Sequence, residues 1–118
     1  MLESELARKR IDYCQDLAAA LDDLIYRLRE MPEIERVILF GSYAAGRRDL
    51  FTDLDVIIVM ETEQDFIQRT AALYRLLQTD VDLDLLVYTP DEFEKKRKQG
   101  FLRHALETGQ VVYEKQRA

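Results

Sequence analysis

Apolar residues recur along this chain in two rhythms, and the change of rhythm divides it into elements. Over residues 3–31, Cys14, Leu17, Ala18, Leu21, Leu24, Ile25 and Leu28 follow a three-four spacing, which gathers them on one face of a helix. Pro32 ends that helix, because a proline pushes the residue before it out of the helical region. A helix this long exceeds what a three-stranded sheet about 20 Å deep can cover. Its first turns, where Leu6 and Ile11 are the main apolar residues, are therefore expected either to pack on the sheet or to reach another chain. The rhythm then changes. Residues 37–40 and, but for Asp55, 54–60 are apolar runs bounded by glycine and aspartate, as buried strands are. Too few residues separate them for a full return crossover, so the two strands are expected to run antiparallel.

Further along, Thr62-x-x-Asp65 predicts a capped helix start, with Phe66, Ile67, Thr70, Ala71, Tyr74 and Leu77 as its apolar face. That helix carries the chain back, so a third strand near 81–88 is expected parallel to the second through a right-handed crossover. Asp82 and Asp84 share one face of it, opposite Val81, Leu83, Leu85 and Val87. Thr89-Pro90-Asp91-Glu92 is a helix start in which threonine caps, proline takes the first turn and glutamate the third position. A last helix over 101–108 ends at Gly109, and 111–113 adds a short edge strand. In the second strand, Asp55, Ile57 and Val59 alternate with Leu54, Val56, Ile58 and Met60, so both faces need cover. The helices are expected to cover one face well and to leave the other, near the site, partly open to a partner. The reading is an α/β chain of the α+β kind: a small mixed sheet of three main strands with a short C-terminal edge strand, a long N-terminal helix and flanking helices. It is expected to be a single domain over 1–118, with the helix in 1–31 and the core in 36–114.

Composition narrows the class. A length of 118 residues suits one core. A formal net charge of −6 argues against a surface that grips long nucleic acid, which needs a basic footprint. No stretch of eighteen apolar residues occurs, and an amino terminus with Glu3 and Glu5 has no apolar signal region. No membrane contact and a cytoplasmic location are therefore expected. Cys14 is the only cysteine, so it reads as a small buried hydrophobe. Lys95-Lys96-Arg97-Lys98 would spread around a helix as solvated charge, and His104, the only histidine, reads as a surface residue.

The chemistry is concentrated between Gly41 and Val59. Gly41-Ser42 closes the first strand, ten residues follow, and Asp53-Leu54-Asp55 opens the second. Alternate strand residues point to one face about 6.8 Å apart, so Asp53 and Asp55 can share a cation while Leu54 faces the core. Hard oxygen donors on short side chains suit Mg²⁺, which is usually completed by substrate phosphates, and this points to a nucleotide triphosphate. Gly41 allows close backbone approach. Ser42 is expected to open a helical turn over 42–45 whose N–H groups and hydroxyl hold phosphate oxygens. One of Asp82 and Asp84 should complete the metal site.

Gly-Ser, ten residues, Asp-x-Asp resembles the signature of the DNA polymerase beta type nucleotidyltransferase superfamily. The string GSYAAGRRDLFTDLDVIIV resembles its smallest members, the minimal nucleotidyltransferases (MNT), including MntA-type antitoxins. VDLDLLVYTPDEFEKKR and FLRHALETGQVVYE are similar to the family's third-strand and C-terminal segments, so the likeness runs from Val37 to Glu114. It implies that Asp84, six residues before Pro90, is the third carboxylate, with Asp82 as the rival. An arginine is frequent in the family where Ala45 stands, and Arg47 or Arg48 is the substitute for its charge.

The resemblance further implies ATP as substrate, two Mg²⁺ ions held by Asp53, Asp55 and Asp84, and AMP transfer to a hydroxyl with pyrophosphate leaving. Asp84 would also take the acceptor's proton. The acceptor it implies is a tyrosine of a HEPN-type toxin. Two other readings stand beside this one. The chain could adenylylate a small alcohol as a self-assembled dimer, with copies joined through the N-terminal helix, or it could mask a toxin without catalysis.

Overall fold

The computed structural model describes residues 2–116. Its first element is α1 (Leu2–Arg29), 28 residues and thus about 42 Å long. Glu3 and Glu5 in its first turn and Arg27 and Arg29 in its last complement the helix dipole. Leu17, Leu24 and Leu28 are buried, with Tyr13, Ala20, Leu21 and Ile25 packed beside them. Ala18, expected on this face, is exposed, and Cys14 is only half-buried. Among the described residues none before Leu17 is buried, and Leu6 and Ile11 are exposed, so the first turns do not pack on the sheet.

Four strands follow: β1 (Ile34–Phe40), β2 (Leu54–Met60), β3 (Leu83–Tyr88) and β4 (Gln110–Glu114). They form one mixed sheet in the order β3-β2-β1-β4. β1 runs antiparallel to β2 and β4, and β2 runs parallel to β3, as the connection lengths require. The predicted topology holds, with two differences. β1 begins at Ile34, three residues earlier than its apolar run, because Glu35 and Arg36 interrupt the run while Ile34 is fully buried and pairs with Met60. The C-terminal strand is five residues long and pairs with β1 across a bulge, making it a fourth full member.

Between β1 and β2 lies α2 (Gly41–Ala44). It starts one residue before the predicted turn, with Phe40 at its cap, and Ser42 makes no capping bond. The crossover helix α3 (Phe66–Leu76) is capped by Asp65, which accepts from Gln68 N–H at 2.8 Å while the Gln68 side chain accepts from Asp65 N–H. Thr62, the predicted cap, instead accepts from Gln64 N–H in the loop before it. The buried side of α3 is Arg69 and Leu73, continued by Leu77 just past its end. Phe66 and Ile67, expected in that face, are 49% and 77% exposed. The helix is turned because Arg69 points inward. It is 4% exposed and donates to Glu92 at 2.7 Å.

Glu92 belongs to α4 (Pro90–Lys96), whose start is as predicted: Thr89 accepts from Glu92 N–H and Glu92 accepts from Thr89 N–H. Lys95 and Arg97 of the basic run pair with Asp91 and Glu94 at the surface. α5 (Gly100–Thr108) leads to β4, with His104 exposed.

The helices cover both faces of the sheet. Leu54, Val56, Ile58 and Met60 pack with α1 and α3, and Ile57 and Val59 pack with Phe93 of α4 and Leu102 and Ala105 of α5. The open second face expected near the site is therefore absent: Ile57 is fully buried and Val59 is 3% exposed. The amphipathic residues of the two short C-terminal helices suffice to close it. Among the described residues no helix is long and apolar enough to cross a membrane.

Candidate nucleotidyl transfer site

The site grows from the strand register. Phe40 of β1 is level with Asp55 of β2, and Asp55 is level with Asp84 of β3. One carboxylate therefore sits between the end of β1 and a second carboxylate on the parallel strand. Asp53 precedes β2 and points to the same side, by the alternation that also buries Leu54. Asp53, Asp55 and Asp84 each offer an oxygen within 4.8 Å of the others'. Asp82 is exposed and lies outside this group, and its backbone carbonyl instead accepts from Leu54 N–H at 2.9 Å, tying the two strand starts together.

The electrostatics follow from this crowding. The Asp55 carboxyl is pushed up from 3.8 to about 7 by burial and by the charges and hydrogen bonds of Asp53 and Asp84. Like charges this close disfavour joint ionisation, and a divalent cation relieves the repulsion. An all-oxygen donor set of short carboxylates fits Mg²⁺ with phosphate oxygens completing its shell.

Gly41 abuts the same cluster. Its φ is +76°, and a Cβ there would fall 2.1 Å from Asp55 Oδ2. Only glycine lets the strand end approach the carboxylate this closely. One residue on, Ser42 Oγ donates to Asp53 Oδ1 at 3.3 Å, a long contact that leaves the hydroxyl able to turn toward another acceptor. The first N–H groups of a helix have no partner within it, and α2 begins at Gly41 and Ser42, which lie beside Asp55 and Asp53.

The loop that delivers Asp53 is held by residues the sequence reading did not single out. Thr52 is fully buried. Its hydroxyl accepts from Asp49 N–H and donates to the Asp49 carboxylate, and Asp49 in turn accepts from Phe51 N–H. Tyr13 of α1 donates its hydroxyl proton to the Thr52 carbonyl at 2.7 Å. The signal was present as Asp49-x-x-Thr52, a spacing at which short polar side chains close a turn on themselves. The two arginines proposed for the Ala45 position are engaged in this same segment. Arg47 pairs with Asp49 at 2.7 Å, and Arg48 lies 3.5 Å over the Tyr43 ring and donates to the Tyr43 carbonyl. A cleft of about 880 Å³ between α1 and the α3–β3 loop is bordered by Asp16, Asp80 and Asp82 and touches none of the three clustered carboxylates. The site is an open edge, with Asp84 its exposed member.

A sequence model of the family described as polymerase beta, nucleotidyltransferase, matches residues 22–118. A candidate protein adenylyltransferase of Methanocaldococcus jannaschii is 35% identical over 80 residues, 68% of this chain and 79% of that protein. Among solved structures, a candidate nucleotidyltransferase from Sulfolobus solfataricus superposes with a TM-score of 0.62 at 16% identity, covering 90% of this chain and 87% of that one. A complex of tri-AMPylated Shewanella oneidensis HEPN toxin with MNT antitoxin contains a chain of the same fold. Its TM-score is 0.50 at 21% identity, covering 84% of this chain and 73% of that one.

Proposed function

The chain belongs to the polymerase beta nucleotidyltransferase family, and from that premise we propose that it moves AMP from ATP onto a tyrosine hydroxyl of a HEPN-type toxin. The observation that carries this reading is the convergence of Asp53, Asp55 and Asp84 beside a glycine that admits no side chain. Two Mg²⁺ ions, when bound, would neutralise the triphosphate and clamp the entering and leaving oxygens of an in-line displacement at the α-phosphorus.

In this proposal, Asp53 and Asp55 hold the metal that travels with the triphosphate. The Gly41 backbone and the Ser42 hydroxyl seat phosphate oxygens. Asp84, exposed at the outer side of the cluster, accepts the proton of the incoming hydroxyl as the oxygen–phosphorus bond forms and pyrophosphate departs. The protein acceptor is favoured by likeness to a protein adenylyltransferase and to chains in a complex with AMPylated toxin. It is also favoured by the open edge at which the carboxylates lie, which suits a hydroxyl presented by another protein.

The test is intact-mass spectrometry of the chain incubated with ATP, Mg²⁺ and a purified HEPN-type toxin. The expected result is one or more adenylyl groups on tyrosines of that protein, none on this chain, and none with Asp53→Asn. Neutralisation of the toxin with no mass change would show a masking module, and equal transfer to free small alcohols would show a small-molecule enzyme.

A further inference from the structure

The first third of α1 carries a pattern that the sheet does not use. Leu2 and Leu6 lie on the same side of the helix as Leu17 and Leu24, yet beyond the sheet, 70% and 49% exposed. Beside them the loop before Asp53 presents Leu50 and Phe51, 41% and 82% exposed. Between helix and loop runs an open groove of about 520 Å³, whose helix wall is Glu3, Leu6, Ala7 and Arg10. Exposed leucine and phenylalanine gathered in one groove mark an interaction surface. These turns precede the residues matched by the family, which begin at residue 22. Among the described residues, none of Glu3, Glu5, Arg8, Lys9 and Arg10 makes an ion pair.

The order of the wall residues identifies the occupant. Reversing the helix exchanges Glu3 with Arg10 and Leu6 with Ala7, so acid meets base and apolar meets apolar. A surface complementary to its own reverse is what a two-fold contact requires, since each residue must suit its counterpart in both directions. We propose that this face binds a second copy of the chain, with the two α1 helices antiparallel and the symmetry axis passing between residues 6 and 7. Glu3 of each copy then meets Arg10 of the other, and Leu6 packs on the partner's Ala7. Phe51 closes the outer edge of the contact. Because Phe51 belongs to the turn that positions Asp53, the contact also braces the site-bearing loop of each copy.

Light scattering after size exclusion, on the full chain at micromolar concentration, reads the proposal. The expected mass is twice the 13.9 kDa of one chain. Glu3→Arg alone, and Arg10→Glu alone, each turn two attractions into two repulsions and should weaken the dimer about tenfold or more. The double exchange, Glu3→Arg with Arg10→Glu, should restore it. Phe51→Ser should weaken it as well, and circular dichroism should show every variant folded, since none of the three residues is buried. A monomeric wild type would overturn the proposal, as would single exchanges that leave the mass unchanged or a double exchange that fails to rescue. Loss of binding to another protein in these variants, with the wild type monomeric by itself, would assign the groove to that protein and overturn it equally.

Discussion

Asp55→Asn should make the metal-free protein more stable while abolishing its chemistry. The substitution removes one of three negative groups whose oxygens lie within 4.8 Å of one another. At that distance a like pair costs ~0.9 kcal/mol in water and ~3.5 kcal/mol at an effective dielectric of 20. Asp55 is only partly buried, so solvent screens much of this, and a gain of about 1–2 kcal/mol is the working figure. For a chain of this size that is a rise of roughly 5 °C in melting temperature.

The pH dependence gives the sharper test. The Asp55 carboxyl is raised from 3.8 to about 7 in the fold, so between those values the native state holds a proton that the unfolded state has released. Stability then falls as pH rises through this window and the penalty is fully present above it. In chelator, wild-type and Asp55→Asn melts should differ most at pH 8 and converge toward pH 5. Added Mg²⁺ at pH 8 should raise the wild-type midpoint and move the variant much less. Differential scanning calorimetry in the two buffers reads all of this. A variant that is less stable by the same amount with and without Mg²⁺, and whose deficit ignores pH, would show that Asp55 is a structural residue.

Other substitutions test the neighbouring parts. Gly41→Ala places a methyl 2.1 Å from Asp55 Oδ2 at a positive φ, so transfer should be lost and stability should drop by about 2 kcal/mol or more in urea titrations. Asp84→Ala should cut turnover at least ~100-fold while calorimetric ATP affinity changes little, and Asp82→Ala should keep most activity. The reverse pattern would place the third carboxylate at Asp82. Arg69→Ala removes the partner of Glu92 and the inner wall of α3, costing about 3 kcal/mol in thermal melts, without affecting Mg²⁺ binding at the opposite end of β3.

The parts of this structure legible in the sequence are those fixed by short-range periodicity and by spacing. Strand order near the site followed from connection lengths, and Thr89-Pro90-x-Glu92 announced α4 because every one of its capping groups is local. Strand alternation made the pairing of Asp53 with Asp55 legible but left Asp82 and Asp84 equivalent; the family resemblance pointed to Asp84, and the β2–β3 register sets it level with Asp55. What escaped the sequence depends on contacts distant along the chain. The inward turn of α3 hinges on Arg69 meeting Glu92, 23 residues away. Ile34 enters β1 because Met60 lies opposite it. The closure of the second face rests on how Phe93 and Leu102 meet Ile57, which no local pattern specifies. Thr52 was overlooked for the opposite reason. Its turn is local, but its full burial depends on α1 lying across it through Tyr13.

The placement of β4 beside β1 sets the order in which the sheet can be completed as the chain is made. β1 is an interior strand, yet one of its neighbours is close along the chain and the other is far. β2 follows it directly, while the pairing of Val37 with Tyr113 spans almost the whole core. Until residue 114 has left the ribosome, β1 has a bare hydrogen-bonding edge next to fully buried Val37 and nearly buried Ile38 and Leu39, the kind of edge that recruits other chains. The strands that carry Asp55 and Asp84, by contrast, are synthesised and paired earlier. The carboxylate edge can therefore assemble before the fold is sealed, and truncation just before Gln110 should yield a chain that collapses and aggregates rather than one that merely lacks a strand.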